Sequence, residues 1–213
     1  LAPEVEHLVR MPTIESLLGD KLTAFAPHTT GVPFYSPKSG EEQFQQVAKQ
    51  LFDVGVLFDV ATDFDAVAKS YTAVAAQESE YRGNQHSPAA ALNDTWQACL
   101  ALTATKPAIL EQYSDAPLLH EGLDKMRGHL TTPAYVADRL ARSRLAAKAA
   151  LLGAHLRAGV SLNFDFMRYT RSAEQLAELR AATLSDTPLN WIDRLRATND
   201  EAYYYWHRAI QLS

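Results

Sequence analysis

The stretch Thr132-Pro-Ala-Tyr-Val-Ala-Asp-Arg-Leu-Ala-Arg-Ser-Arg-Leu-Ala-Ala-Lys-Ala-Ala-Leu-Leu-Gly-Ala-His-Leu-Arg-Ala-Gly159 decides the fold class. Thr-Pro is a cap followed by proline at the first helical position, and Gly159 is a stop signal. Between them alanine, leucine and arginine are strong helix formers, so the stretch predicts one long helix to about Ala158. Ala141, Ala146, Ala147, Ala149, Ala150 and Ala154 predict close packing of neighbours on one side. Arg139, Arg142, Arg144 and Lys148 form a candidate phosphate-binding face for RNA on the other. The competing reading is a solvated basic face that balances an acidic helix elsewhere in the chain.

Helical period extends outward from this stretch in both directions. Upstream, Thr13 caps a stripe of Ile14, Leu17, Leu18, Leu22 and Phe25. A Pro- and Gly-containing loop follows over 27–40. A second helix is predicted over 41–61, with Phe44, Val47, Leu51, Val54 and Phe58 as its stripe. A third is expected over 63–82, stopped by Gly83-Asn84, and a fourth over 88–105, opened by Ser87-Pro88. A fifth covers about 117–130. Downstream, residues 160–171 are ambiguous, with an alternation that leaves an extended segment open, Ser172 opens a helix to about Leu184, and Thr187-Pro188 opens one to the C-terminus. Only residues 4–11 read as a strand, with Val5, His7, Val9 and Met11 on one face. An isolated strand needs a sheet, and no later segment supplies one. The expectation is a mainly α protein, a helical bundle with a short N-terminal strand.

Composition narrows the function classes. The chain has 213 residues, is 47% hydrophobic and 21% charged, and carries a net charge of −5. This is ordinary for a globular protein and excludes general disorder. No run approaches the roughly 20 apolar residues of a membrane span. A single cysteine, Cys99, excludes a disulfide framework and reads as a packed thiol. Seven histidines are scattered singly, so the residues themselves predict no metal site. There is no phosphate-loop or dinucleotide-binding glycine pattern. Arg82 and His86 are too close, and interrupted by Gly83, to form the Arg–His pair of a helical ribonuclease. The aromatic run Tyr203-Tyr-Tyr-Trp206 reads as core packing in preference to base stacking. Charge is uneven: residues 41–80 hold eight acids against Lys49 and Lys69, whereas 125–157 hold seven bases against Asp138.

Two positions stand out as chemistry. At about 100° per residue, Lys21 falls in the middle of the first helix's apolar arc. A buried ammonium is costly unless it is paired or faces a polar cavity. The plain readings are that its stem packs and its head reaches water, or that it closes a structural ion pair. Asp53 lies opposite the main stripe of helix 41–61, yet Val56, Leu57 and Val60 flank it, so partial burial is expected. Lys49 at i−4 is an available partner.

The run Pro12-Thr-Ile-Glu-Ser-Leu-Leu-Gly-Asp-Lys-Leu-Thr-Ala-Phe25, the loop, and then Lys49-Gln-Leu-Phe-Asp-Val-Gly55 together resemble the second half of the AbiEii/AbiGii-type toxin nucleotidyltransferases. Asp20-Lys21-Leu22-Thr23-Ala24 matches one family motif. Lys49-Gln50-Leu51-Phe52-Asp53 matches the next, with Gln50 where an acid is usual. The resemblance implies that residues 1–61 end a nucleotidyltransferase α/β core, of which strand 4–11 is a remnant, and that 62–213 form a C-terminal helical bundle. It implies nucleotide transfer from an NTP to an acceptor hydroxyl, with tRNA or another RNA as acceptor. Lys21 would reach the triphosphate, Lys49 would assist, and Asp53 would act as base or orient Lys21. Mg²⁺ is implied as well, with its Asp-x-Asp ligands expected ahead of Leu1, so that this chain alone is inactive. The natural setting would be a bacterial cytoplasmic toxin with a cognate antitoxin. From another class, the alternative is a non-catalytic helical module that binds protein or RNA. A third reading is a degenerate family member in which Gln50 marks lost chemistry.

Overall fold

The computed structural model describes residues 11–131, 133–161 and 163–213. The described residues form a mainly helical bundle, and they contain no strand beyond one isolated antiparallel bridge between Tyr35 and Glu42. The strand expected over 4–11 lies, apart from Met11, outside the described residues. The α-helices run α1 Ile14–Ala24, α2 Phe44–Val60, α3 Phe64–Tyr81, α4 Pro88–Thr103, α5 Pro107–Leu110, α6 Ala116–Arg127, α7 Arg139–Ala158, α8 Ala173–Ala181, α9 Leu195–Thr198 and α10 Asp200–Gln211.

Caps place several of these boundaries. Thr13, Asp63, Ser87 and Ser172 each accept a hydrogen bond from a backbone N–H in the first turn of α1, α3, α4 and α8. Gly159, with φ at +64°, ends α7 in the left-handed region that a residue with a Cβ avoids.

Other boundaries differ from the sequence reading. Helix α2 starts at Phe44, not Glu41, because 36–43 form a tight turn: Ser36 N–H donates to the Glu41 carbonyl and Gln43 N–H to that of Phe34. Thr132-Pro133 does not open α7. Pro133–Val136 form a separate 3₁₀ turn, and the Asp138 carboxylate caps the helix at Ala141 N–H, 2.8 Å away. Residues 164–167 form a 3₁₀ turn capped by Asn163, not an extended segment. The final helix is broken. Asn199, with φ −158° and ψ 75°, separates α9 from α10, and its amide donates to the Leu140 carbonyl at 2.8 Å.

Helix α7 is the axis of the bundle, and α2, α4 and α10 pack against it. Ala146, Ala147, Ala149, Ala150 and Ala154 are all at most 1% exposed, so neighbouring backbones approach closely. The sequence suggests a two-faced helix, yet α7 is enclosed on nearly every side between Ala141 and His155. On the other side of the bundle α1 packs on α3 and α2, and α2 on α6. Gly122 of α6 makes that last contact close: a Cβ there would collide with the Phe44 carbonyl oxygen. One apolar cluster runs from Leu18 to Ala209 and is continuous across position 61.

The aromatic run of α10 is core. Tyr203, Tyr204, Tyr205 and Trp206 are each at most 3% exposed. Consecutive residues on a helix point in different directions, so four buried neighbours need partners all round. Each polar atom finds one: Tyr203 donates to Asp193 at 2.7 Å, Tyr204 to the Phe166 carbonyl at 3.0 Å, and Trp206 to Thr103 at 3.1 Å, while the Tyr205 hydroxyl accepts from Tyr169 N–H. Cys99 is fully buried, and burial pushes its thiol far above the range in which a thiolate forms. Arg82 donates to the carbonyls of Thr30 and Gly31, a structural tie between α3 and the loop.

Candidate functional site

Lys21 sits in the last turn of α1 among Leu18, Leu22 and Phe25, all fully buried. Its own side chain keeps 28% exposure, and Nζ lies 3.5 Å from Asp20 Oδ2. The stem is therefore packed and the head is partly wet. Asp53 is half-buried on α2, the helix that packs directly on α1. Burial pushes the Asp53 carboxyl above the usual carboxylate range, against the pull of the Lys21 and Lys49 ammonium groups. Lys21 and Lys49 thus act on one carboxylate from two helices. Among the described residues neither closes a direct ion pair with it, and the i−4 pairing of Lys49 with Asp53 is not made. Asp20 balances part of the Lys21 charge, so among the described residues Lys49 is the cation of this cluster with no carboxylate in direct contact, and it stands beside a partly desolvated spot where Coulomb attraction for an anion exceeds its value in water.

Lys49 and Asp53 also line a groove of about 340 Å³ between α2 and the C-terminal end of α6. Phe52, Met126 and Leu130 give it apolar walls. The α2 side is legible in sequence, because 49, 52 and 53 share one helix face. The α6 side is not, since Met126 and Leu130 reach it only through the tertiary packing of α6.

The basic stretch of α7 does not form the exposed phosphate-binding face expected of it. Arg139 is exposed, but Arg142 and Lys148 are 6% and 5% exposed. The Arg142 guanidinium binds the Asp124 carboxylate and donates to the Val136 carbonyl. Lys148 pairs with Asp59 at 2.7 Å and with Glu201 at 3.2 Å, and Arg144 reaches Glu201 at 3.6 Å. These bases pair with acids on α2, α6 and α10 whose carboxylates keep contact with water. The balance of this helix against the acidic helix is met in part, since Asp59 belongs to α2, but the pairing is buried on the lysine side. Beside Arg142, burial drives His120 down to about 4, so its imidazole is neutral near pH 7, and its Nδ1 accepts from the guanidinium at 3.2 Å.

No group of three or more His, Cys, Asp or Glu side chains that would seat a metal ion occurs among the described residues. No described helix is long and apolar enough to cross a membrane. No protein-family model, no curated protein and no solved structure matches the chain.

Proposed function

We propose that the chain is the helical part of a toxin-type nucleotidyltransferase that moves a nucleotide from an NTP to an acceptor hydroxyl, with RNA as the acceptor. One observation carries the reading: Lys21 and Lys49 converge electrostatically on the half-buried Asp53 across the α1–α2 contact. In this reading the two ammonium groups hold the phosphates, and Asp53 orients Lys21. Neither lysine contacts Asp53, and the Lys21 ammonium, although 3.5 Å from Asp20 Oδ2, keeps 28% exposure, so N–H donors of both can reach phosphate oxygens. The described residues do not fit a Mg²⁺ site, so the part assigned to them is binding and positioning. A cognate antitoxin, a tRNA acceptor and a bacterial cytoplasmic setting belong to the same proposal, with no described residue assigned to them.

Calorimetric titration of the chain with NTPs tests it. Charge-assisted contacts contribute about 1.5–3 kcal/mol each. Lys21→Ala together with Lys49→Ala should therefore weaken binding by tenfold or more, with the helical circular-dichroism spectrum unchanged. Equal affinity in wild type and double variant, or no binding by either, would overturn the reading and leave the chain as a non-catalytic helical interaction module.

A further inference from the structure

The groove beside Lys49 has a mixed chemistry that the phosphate contacts alone do not need. Its volume of about 340 Å³ lies within the range of about 300–1,000 Å³ typical of small-molecule sites. Gln45, Lys49 and Phe52 follow one another at i, i+4 and i+7 along α2, and Gln46 and Asp53 flank them. Met126 closes the groove from α6, and His129 and Leu130 follow it. Met126 is 4% exposed, so it is firmly part of the wall. The Phe52 ring is held edge-on by Tyr135, with centroids 5.8 Å apart, which fixes its orientation. The close passage of Gly122 over the Phe44 carbonyl sets the spacing of the two helices at the start of α2.

We propose that this groove is the nucleobase subsite of the nucleotide whose phosphates Lys21 and Lys49 hold; the inference rests on the reading given above. A base is a flat ring with apolar faces and a polar edge. Phe52, Met126 and Leu130 suit the faces. The carboxamides of Gln45 and Gln46 each carry a donor and an acceptor and can pair with the edge. A purely apolar ligand would leave those amides and the Lys49 charge desolvated and unmatched. An inorganic polyphosphate would make no use of the apolar walls. A nucleoside polyphosphate uses both, with its anionic end toward the lysines.

The test compares binding of an NTP with binding of inorganic tripolyphosphate. Wild type should bind the NTP at least tenfold more tightly. Gln46→Trp adds bulk from an exposed position on the rim, so it should reduce NTP affinity to the tripolyphosphate level and leave tripolyphosphate affinity unchanged. His129→Ala, also at an exposed position in the groove lining, should lower NTP affinity several-fold and leave tripolyphosphate affinity unchanged. Equal binding of the two ligands by wild type, or a preference for NTP that survives Gln46→Trp, would overturn the base subsite while the phosphate reading stands. Failure of both ligands to bind would remove the phosphate reading and the subsite with it.

Discussion

Replacing Trp206 with alanine should destabilise the protein by about 3–5 kcal/mol, the range for deleting a large buried aromatic. The indole is 0% exposed, and its ring meets Trp96 edge-on with centroids 5.2 Å apart. Removing it leaves a cavity where α10 and α4 face each other. It also removes the donor to the Thr103 hydroxyl, which keeps its own bond to the Cys99 carbonyl at 2.8 Å. The loss is therefore one of packing more than of unsatisfied polarity. For a chain of this length it corresponds to a fall in Tm of roughly 6–20 °C. Urea unfolding followed by circular dichroism measures it. If the run 203–206 instead served as a stacking platform for RNA, the same substitution would reduce RNA affinity and barely move the urea midpoint.

The second large effect is an asymmetry around Lys148. The double substitution Asp59→Asn with Glu201→Gln leaves a buried ammonium without an anionic partner, and should cost about 3 kcal/mol, at the lower end for breaking a buried ion pair. Lys148→Met should cost clearly less. The difference comes from who is left behind: the Lys148 side chain is 6% exposed, whereas Asp59 and Glu201 are 31% and 30% exposed and can turn to water. The methionine also occupies much of the volume of the lysine side chain, and its thioether suits the neighbourhood of the Tyr205 ring, 5.8 Å from whose centroid the ammonium nitrogen lies. Thermal melts of the two variants at pH 7 and moderate salt give the comparison. Equal losses, or a larger loss for Lys148→Met, would show that the ammonium has access to water that its 6% exposure does not suggest.

Much of the helical architecture is legible in the sequence because its signals are local. Thr13, Asp63, Ser87 and Ser172 are side chains that satisfy backbone donors within their own first turn, so each start is written within four residues. The misplaced boundaries have two origins. The opening of α7 is local: Asp138 caps Ala141 N–H three residues on, a signal of the same kind as Thr13 or Ser87 that lies six residues past Thr132. The break before α10 has a distant partner, since Asn199 bonds to the Leu140 carbonyl. The basic helix misleads for a related reason. Arginines and lysines spaced among alanines look like a surface stripe, and nothing nearby in the sequence reveals that Asp124, Asp59 and Glu201 come to meet them. Lys21 is legible as a cation on an apolar arc, and Asp53 as an acid with apolar flanks. That the two act on each other could not be read from either helix alone, because it depends on how α1 crosses α2. The Met126 and Leu130 wall of the groove has the same origin.

In the proposed reading Lys21, Lys49 and Asp53 form one electrostatic unit that receives a polyanion. Titration of the Asp53 side-chain carboxyl carbon, followed by NMR with and without tripolyphosphate, reads that unit at its own atoms. Burial already holds this carboxyl high, and the two ammonium groups pull it down. An anion seated on those ammonium groups would offset their pull and disfavour the carboxylate, so the midpoint should rise on addition of tripolyphosphate. In Lys21→Ala with Lys49→Ala the midpoint should already be raised and should no longer respond. A wild-type midpoint that does not move with tripolyphosphate, or moves equally in the double variant, would contradict the account.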